Sequence, residues 1–174
     1  MNARRFHFVL CFVLVAAPGA ALAASGPTAA TAEQARGAVP PREIVQYGHI
    51  KSLTQKGGRF ELRFDPAQWL QGVTATRAAV EDKAIQPGEA VPNDYYIVDE
   101  GRRLLTYLVP RAAHVAVVTS GPGPVGSTVI TVGELAQIVK GKNPKHRRLM
   151  EPKAGFWIRI AVDTVRSLDQ QYQP

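Results

Sequence analysis

Arg59-Phe60-Glu61-Leu62-Arg63-Phe64 is the stretch that decides the fold. Apolar residues fall at every second position and charged residues lie between them. This is the period of a strand with one face buried and the other in water. Just upstream, Gln55-Lys56-Gly57-Gly58 has the composition of a turn, and Ile44 to Leu53 is rich in β-formers. The two runs and their glycine pair predict a hairpin.

Downstream, Asp65-Pro66-Ala67-Gln68 reads as a helix start, with Asp65 as N-cap and Pro66 at the first helical position. That helix would carry Trp69 and Leu70 and stop at Gly72. Thr74 would cap a second helix through Ala75, Ala78, Ala79 and Glu81, ended by Pro87 and Gly88. Strand signals resume around Tyr95 to Val98, Leu104 to Val109 and His114 to Val118, with Asp99-Glu100-Gly101 as a turn. Thr131-Val132-Gly133-Glu134 is a capping box, and the following helix places Leu135, Ile138 and Val139 on one face before Gly141. Phe156, Ile158 and Ile160 alternate again, and a last strand runs through Val165 and Leu168. Roughly six or seven strands with two or three short helices predict an α+β, strand-dominated fold. Its expected form is a small curled sheet or partly open β-barrel of the OB or SH3-like kind.

The N-terminus reads as an address. Asn2-Ala3-Arg4-Arg5 is a basic start, Phe6 to Ala17 is apolar but for His7, and Ala21-Leu22-Ala23 has the small-x-small pattern of a cleavage site. Residues 1–23 are therefore expected to be a signal peptide. The apolar run falls short of the about 20 residues that a membrane span needs. Residues 24–42, rich in Ala, Thr, Gly and Pro, read as a disordered tether, and residues 43–174 as one β-rich domain. The single cysteine, Cys11, lies in the leader without a lipobox. The exported domain is thus expected to be soluble, secreted or periplasmic, and free of disulfides and thiolate chemistry.

The 21 Lys and Arg exceed the 14 Asp and Glu. A positive balance favours anionic partners such as envelope polymers or lipid headgroups. Its clearest local form is the cluster Lys140, Lys142, Lys145, His146, Arg147 and Arg148, which follows a helix C-terminus and suits the helix dipole. Arg147 and Arg148 can fork onto anions, and Trp157 can add a stacking surface. Successive side chains of a strand point to opposite faces, so one of Tyr95 and Tyr96 can enter the core while the other reaches the surface. Tyr96 joins Trp157 as an expected ligand contact.

Other chemistry is weakly signalled. Gly121 to Thr128 has P-loop spacing but lacks the lysine, and Pro122 and Pro124 remove amides that a phosphate cradle needs. Nucleotide binding is therefore disfavoured, and nucleic acid is not the expected partner of the basic charge. His49, His114 and His146 have no metal-ligand spacing, and no serine sits in a nucleophile elbow. No metal or cofactor is expected. Asp94, Asp99 and Glu100 surround Tyr95-Tyr96 and give a carboxylate alternative for a hydrolase, although two of them are neighbours in a turn.

Three blocks, Phe64-Asp65-Pro66-Ala67-Gln68-Trp69-Leu70-Gln71-Gly72, Asn93-Asp94-Tyr95-Tyr96-Ile97-Val98 and Gly155-Phe156-Trp157-Ile158, resemble a group of secreted bacterial proteins of actinobacterial type. The resemblance spans most of Tyr47 to Pro174. It implies export and a β-rich domain, and it transfers no activity, cofactor or site residue. The expectation is an exported, non-enzymatic binding or accessory module. A secreted hydrolase and a small-ligand carrier with a barrel cavity are the alternatives.

Overall fold

The hairpin forms where the alternation places it. In the computed structural model, β1 (Ile44–Lys56) and β2 (Arg59–Gln71) pair from Lys56↔Arg59 to Tyr47↔Ala67. Gly57 turns the chain at φ 59, a left-handed conformation that costs glycine no steric clash. Phe60, Leu62 and Phe64 are buried while Arg59 and Arg63 face water. The structure describes residues 42–99, 101, 103–121, 124–151 and 154–173. The expected leader, the tether up to residue 41, Cys11, Pro122 and Glu100 lie outside the described residues.

The helix expected from Asp65 does not form. β2 continues through Asp65-Pro66-Ala67-Gln68-Trp69-Leu70, and α1 (Gly72–Glu81) begins only after Gln71. Pairing on both edges overrides the local capping signal. One edge of β2 carries β1. The other carries β4 (Leu105–Pro110) against Arg59–Phe64, then β3 (Tyr95–Asp99) against Ala67–Gln71. Pro66 falls in the gap between those two partners, where that edge has no ladder to break. Thr74, expected as a cap, lies inside α1 and donates its hydroxyl to the Gln71 carbonyl at 2.7 Å.

The remaining elements are β5 (His114–Thr119), β6 (Gly126–Val129), α2 (Val132–Val139), β7 (Phe156–Ala161) and β8 (Thr164–Gln170). Among the described residues eight strands make one sheet in the order β3-β2-β1-β7-β8-β5-β6, with β4 pairing both β2 and β8. Pairing thus runs round β1, β2, β4, β8 and β7. Its weak point is β4–β8, a single parallel pair, Leu108↔Thr164, backed by the Leu108 amide donating to the Asp163 carbonyl at 3.0 Å. The sheet is curled and partly ring-like without being a barrel, and it is α+β and strand-dominated.

The concave face holds the core. Leu53, Leu62, Phe64, Val109, Val115, Val117, Ile158 and Leu168 meet Val132, Leu135 and Ile138 of α2. Each fully buried aliphatic or aromatic side chain is worth about 1.5–3 kcal/mol of transfer free energy. A second, smaller cluster seats Ala75 and Ala79 of α1 and Val91 against Leu70 and Tyr96. All these elements belong to one compact unit. Among the described residues no helix is long and apolar enough to cross a membrane.

Candidate functional site

The alternation that buries Leu62 and Phe64 sends Asp65, Ala67 and Trp69 to the opposite face of β2. Register extends that face across neighbouring strands, because Tyr47 opposes both Ala67 and Trp157, and Gln71 opposes Tyr95. Four aromatic rings from four adjacent strands therefore form a strip. Tyr95 stacks on Trp69 at 4.2 Å, Trp69 meets Tyr47 edge-on at 5.2 Å, and Tyr47 meets Trp157 at 5.0 Å. Tyr95, Trp69 and Trp157 are partly exposed, while Tyr47 is buried. Both helices pack elsewhere: α1 sits over Leu70 and Tyr96, and α2 joins the core cluster.

The strip is held in register by polar bonds at one end. Gln173 donates to the Tyr47 hydroxyl at 2.8 Å, and the Trp157 indole donates to Gln171 at 2.9 Å. Burial pushes the Tyr47 phenol above its ordinary value, which keeps it neutral. Gly155 is the residue that lets Tyr47 lie there, since a Cβ at that position would collide with the ring and its hydroxyl.

Next to the strip, β1 parts from β7. Their pairing ends at Gly48↔Phe156, and a bulge between Ile50 and Ser52 leaves Lys51 as an extra residue. Bulges re-aim side chains in this way. The parting opens a cleft of about 790 Å³ with Ile50, Ile138, Val139 and Ala154 as its apolar lining. His49, Lys51, Glu151 and Gln173 bring polar groups to it. Behind Lys51 lies Asp65, 4% exposed, with Oδ2 at 2.7 Å from the ammonium. That hydrogen bond holds the Lys51 pKa above its usual range. The other oxygen of Asp65 is buried with no hydrogen-bond partner among the described residues.

The basic segment divides into two groups. Arg147 Nε lies 2.5 Å from Oε1 of Glu134, and Lys145 Nζ lies 3.0 Å from Oε2. Glu134 is buried, and its hydrogen bond from Arg147 holds its pKa below the usual carboxylate range. Asn143 brackets the same residue, accepting from the Arg147 amide at 3.0 Å and donating to its carbonyl at 2.6 Å. Lys140, Lys142 and Arg148 remain exposed, and their side chains engage no carboxylate among the described residues. Lys140 and Lys142 flank Gly141, which borders the cleft.

Tyr96 and Trp157 are not brought together. Tyr96 turns to the α1 side, where its hydroxyl reaches Asp82 at 3.1 Å, and Tyr95 is the tyrosine on the Trp157 face. The acidic residues are also separated. Asp94 and Asp99 bracket the five-residue β3, about 16 Å apart at a strand's rise. Paired glycosidase carboxylates lie about 5–9.5 Å apart. Asp99 accepts from the Gly101 amide at 3.0 Å, which is a turn-stabilising role. His114 lies 3.5 Å from Asp169, which also accepts from Ser167 at 2.9 Å. The carboxylate stands between serine and imidazole, so this trio is not the serine–histidine–aspartate order in which imidazole takes the hydroxyl proton. Among the described residues no three His, Cys, Asp or Glu are grouped to hold a metal ion.

The period-two count, continued through Asp65, Ala67 and Trp69, is the signal that finds the aromatic face. The apparent helix cap at Asp65 hides it, because a helix would send Trp69 away from Tyr47 and Tyr95. No family model matches the chain, and no curated protein or solved structure matches it significantly.

Proposed function

We propose that the chain is an exported, non-catalytic binding module that holds an anionic envelope polymer against its aromatic face. The four-ring strip Tyr95-Trp69-Tyr47-Trp157 carries this reading, since it is partly exposed on a sheet face that neither helix covers. Tyr and Trp combine a large apolar body with a polar handle, which suits recognition surfaces. The signal-peptide pattern at residues 1–23 supports export. The excess of basic residues supports an anionic ligand, and within the basic segment Lys140, Lys142 and Arg148 make no ion pair with an acid among the described residues.

Co-sedimentation with purified cell-wall sacculi that retain their anionic polymers tests the proposal. The protein should pellet with them, and retention should fall as salt rises through about 0.1 to 0.5 M, as screening shortens. Trp69→Ala should lower retention about tenfold, the loss of one buried aromatic contact. Lys140→Ser with Lys142→Ser and Arg148→Ser should weaken it further and flatten the salt dependence. Absence of pelleting, or a Trp69→Ala protein with native circular dichroism and undiminished retention, would overturn the reading.

A further inference from the structure

The cleft beside the aromatic strip brings together groups of opposite charge from different parts of the chain, with an aliphatic lining between them. Lys51 comes from the bulge in β1 and Glu151 from the segment before β7. The Asp65 carboxylate, itself buried, takes one hydrogen bond from the Lys51 ammonium at 2.7 Å and fixes its position. An ammonium has three donors, so others remain for a ligand. Fixing the group beforehand lowers the ordering cost of binding. The Glu151 segment is also fastened, with Gln170 donating to the carbonyls of Met150 at 3.0 Å and Glu151 at 2.8 Å. The Glu151 carboxylate makes no ion pair among the described residues.

We infer that this cleft is a subsite for a short aliphatic peptide bearing both a free carboxylate and a free amine. The inference rests on the polymer-binding reading above and names the peptide part of such a polymer as the cleft's ligand. Lys51 receives the carboxylate and Glu151 the amine, while Ile50, Val139 and Ala154 contact small aliphatic side chains. The volume, about 790 Å³, suits a ligand of that size. A bare phosphate would meet the like charge of Glu151. A purely apolar ligand would strand the Lys51 and Glu151 charges away from water.

Binding of tri-alanine, followed through the ring resonances of His49, tests the inference. Three probes are compared: the free peptide, its N-acetyl form and its C-terminal amide. Free tri-alanine should give a saturable shift, and each blocked form should bind at least about fivefold more weakly, the loss of one charge pair. Glu151→Gln should bind the free and N-acetyl peptides alike. Because Lys51→Gln leaves Asp65 without its cation and can impair folding, the C-terminal amide probe on the native protein tests the Lys51 contact. No saturable shift, or blocked peptides binding as well as the free one, overturns the inference. Trp69→Ala should still bind tri-alanine. Loss of sacculus retention with tri-alanine binding intact therefore points to the aromatic face, and the converse to the cleft.

Discussion

Glu134 carries two duties that the sequence presents as one. The capping box is half made: Thr131 accepts from the Glu134 amide at 3.1 Å, but the carboxylate turns to Arg147 and Lys145. Two cations that look free in the sequence therefore fasten their own loop to the first turn of α2. Removing one member of a buried pair costs about 3–5 kcal/mol when the other stays buried. Here Arg147 and Lys145 can swing into water, so Glu134→Gln should cost about 1–2 kcal/mol in urea unfolding near pH 7. The folded-state pKa of Glu134 is depressed, so its contribution is complete above the unfolded value near 4.3 and is lost as pH falls through the folded value. The stability gap between native protein and Glu134→Gln should accordingly shrink below about pH 4. A gap that stayed constant from pH 7 to pH 3 would remove this account of the loop.

At the scale of elements, β1 passes tightly against β2 at Gly48, where a Cβ would land on the Asp65 carbonyl oxygen and the Phe64 ring. Gly48→Ala should separate the hairpin strands there and cost at least about 1–3 kcal/mol, read as a lower urea midpoint. The β7–β8 hairpin shows the opposite situation. Val162 and Asp163 occupy its two-residue loop at φ 46 and 58, and a β-branched residue is poorly suited to that conformation. Val162 is 75% exposed and gains little from burial there. Val162→Asn should therefore stabilise by about 1 kcal/mol and raise Tm by a few degrees.

The elements were legible wherever one period prevailed. Phe60 to Phe64, Phe156 to Ile160 and the Thr131 cap each read correctly because local pattern and tertiary partners agree. Asp65 to Gln71 did not, because its cap-like chemistry is local while the pairing that holds it extended comes from β1 and β3, distant in sequence. The aromatic face was lost with it: Trp69 reaches Tyr47 and Tyr95 only if β2 stays extended. The cleft was less legible still. It depends on where β1 leaves β7 and on a one-residue bulge, and neither has a signature in composition.

For the whole molecule, the ring of pairing is uneven. The β1–β2 hairpin is a long ladder, whereas β4 meets β8 through Leu108↔Thr164 alone. Hydrogen exchange should show this directly: the Leu108 amide should exchange orders of magnitude faster than the amides of Leu62 and Phe64, which open only with the core. Equal protection would mean that the seam is as cooperative as the hairpin. A seam that opens on its own also decides how the molecule meets a protease. Each transient opening frees β4 from β8 beside Val109 and Val165, both fully buried when it is closed. Wherever proteases are present, the lifetime of this protein should be set by how often that single latch slips rather than by the strength of its core.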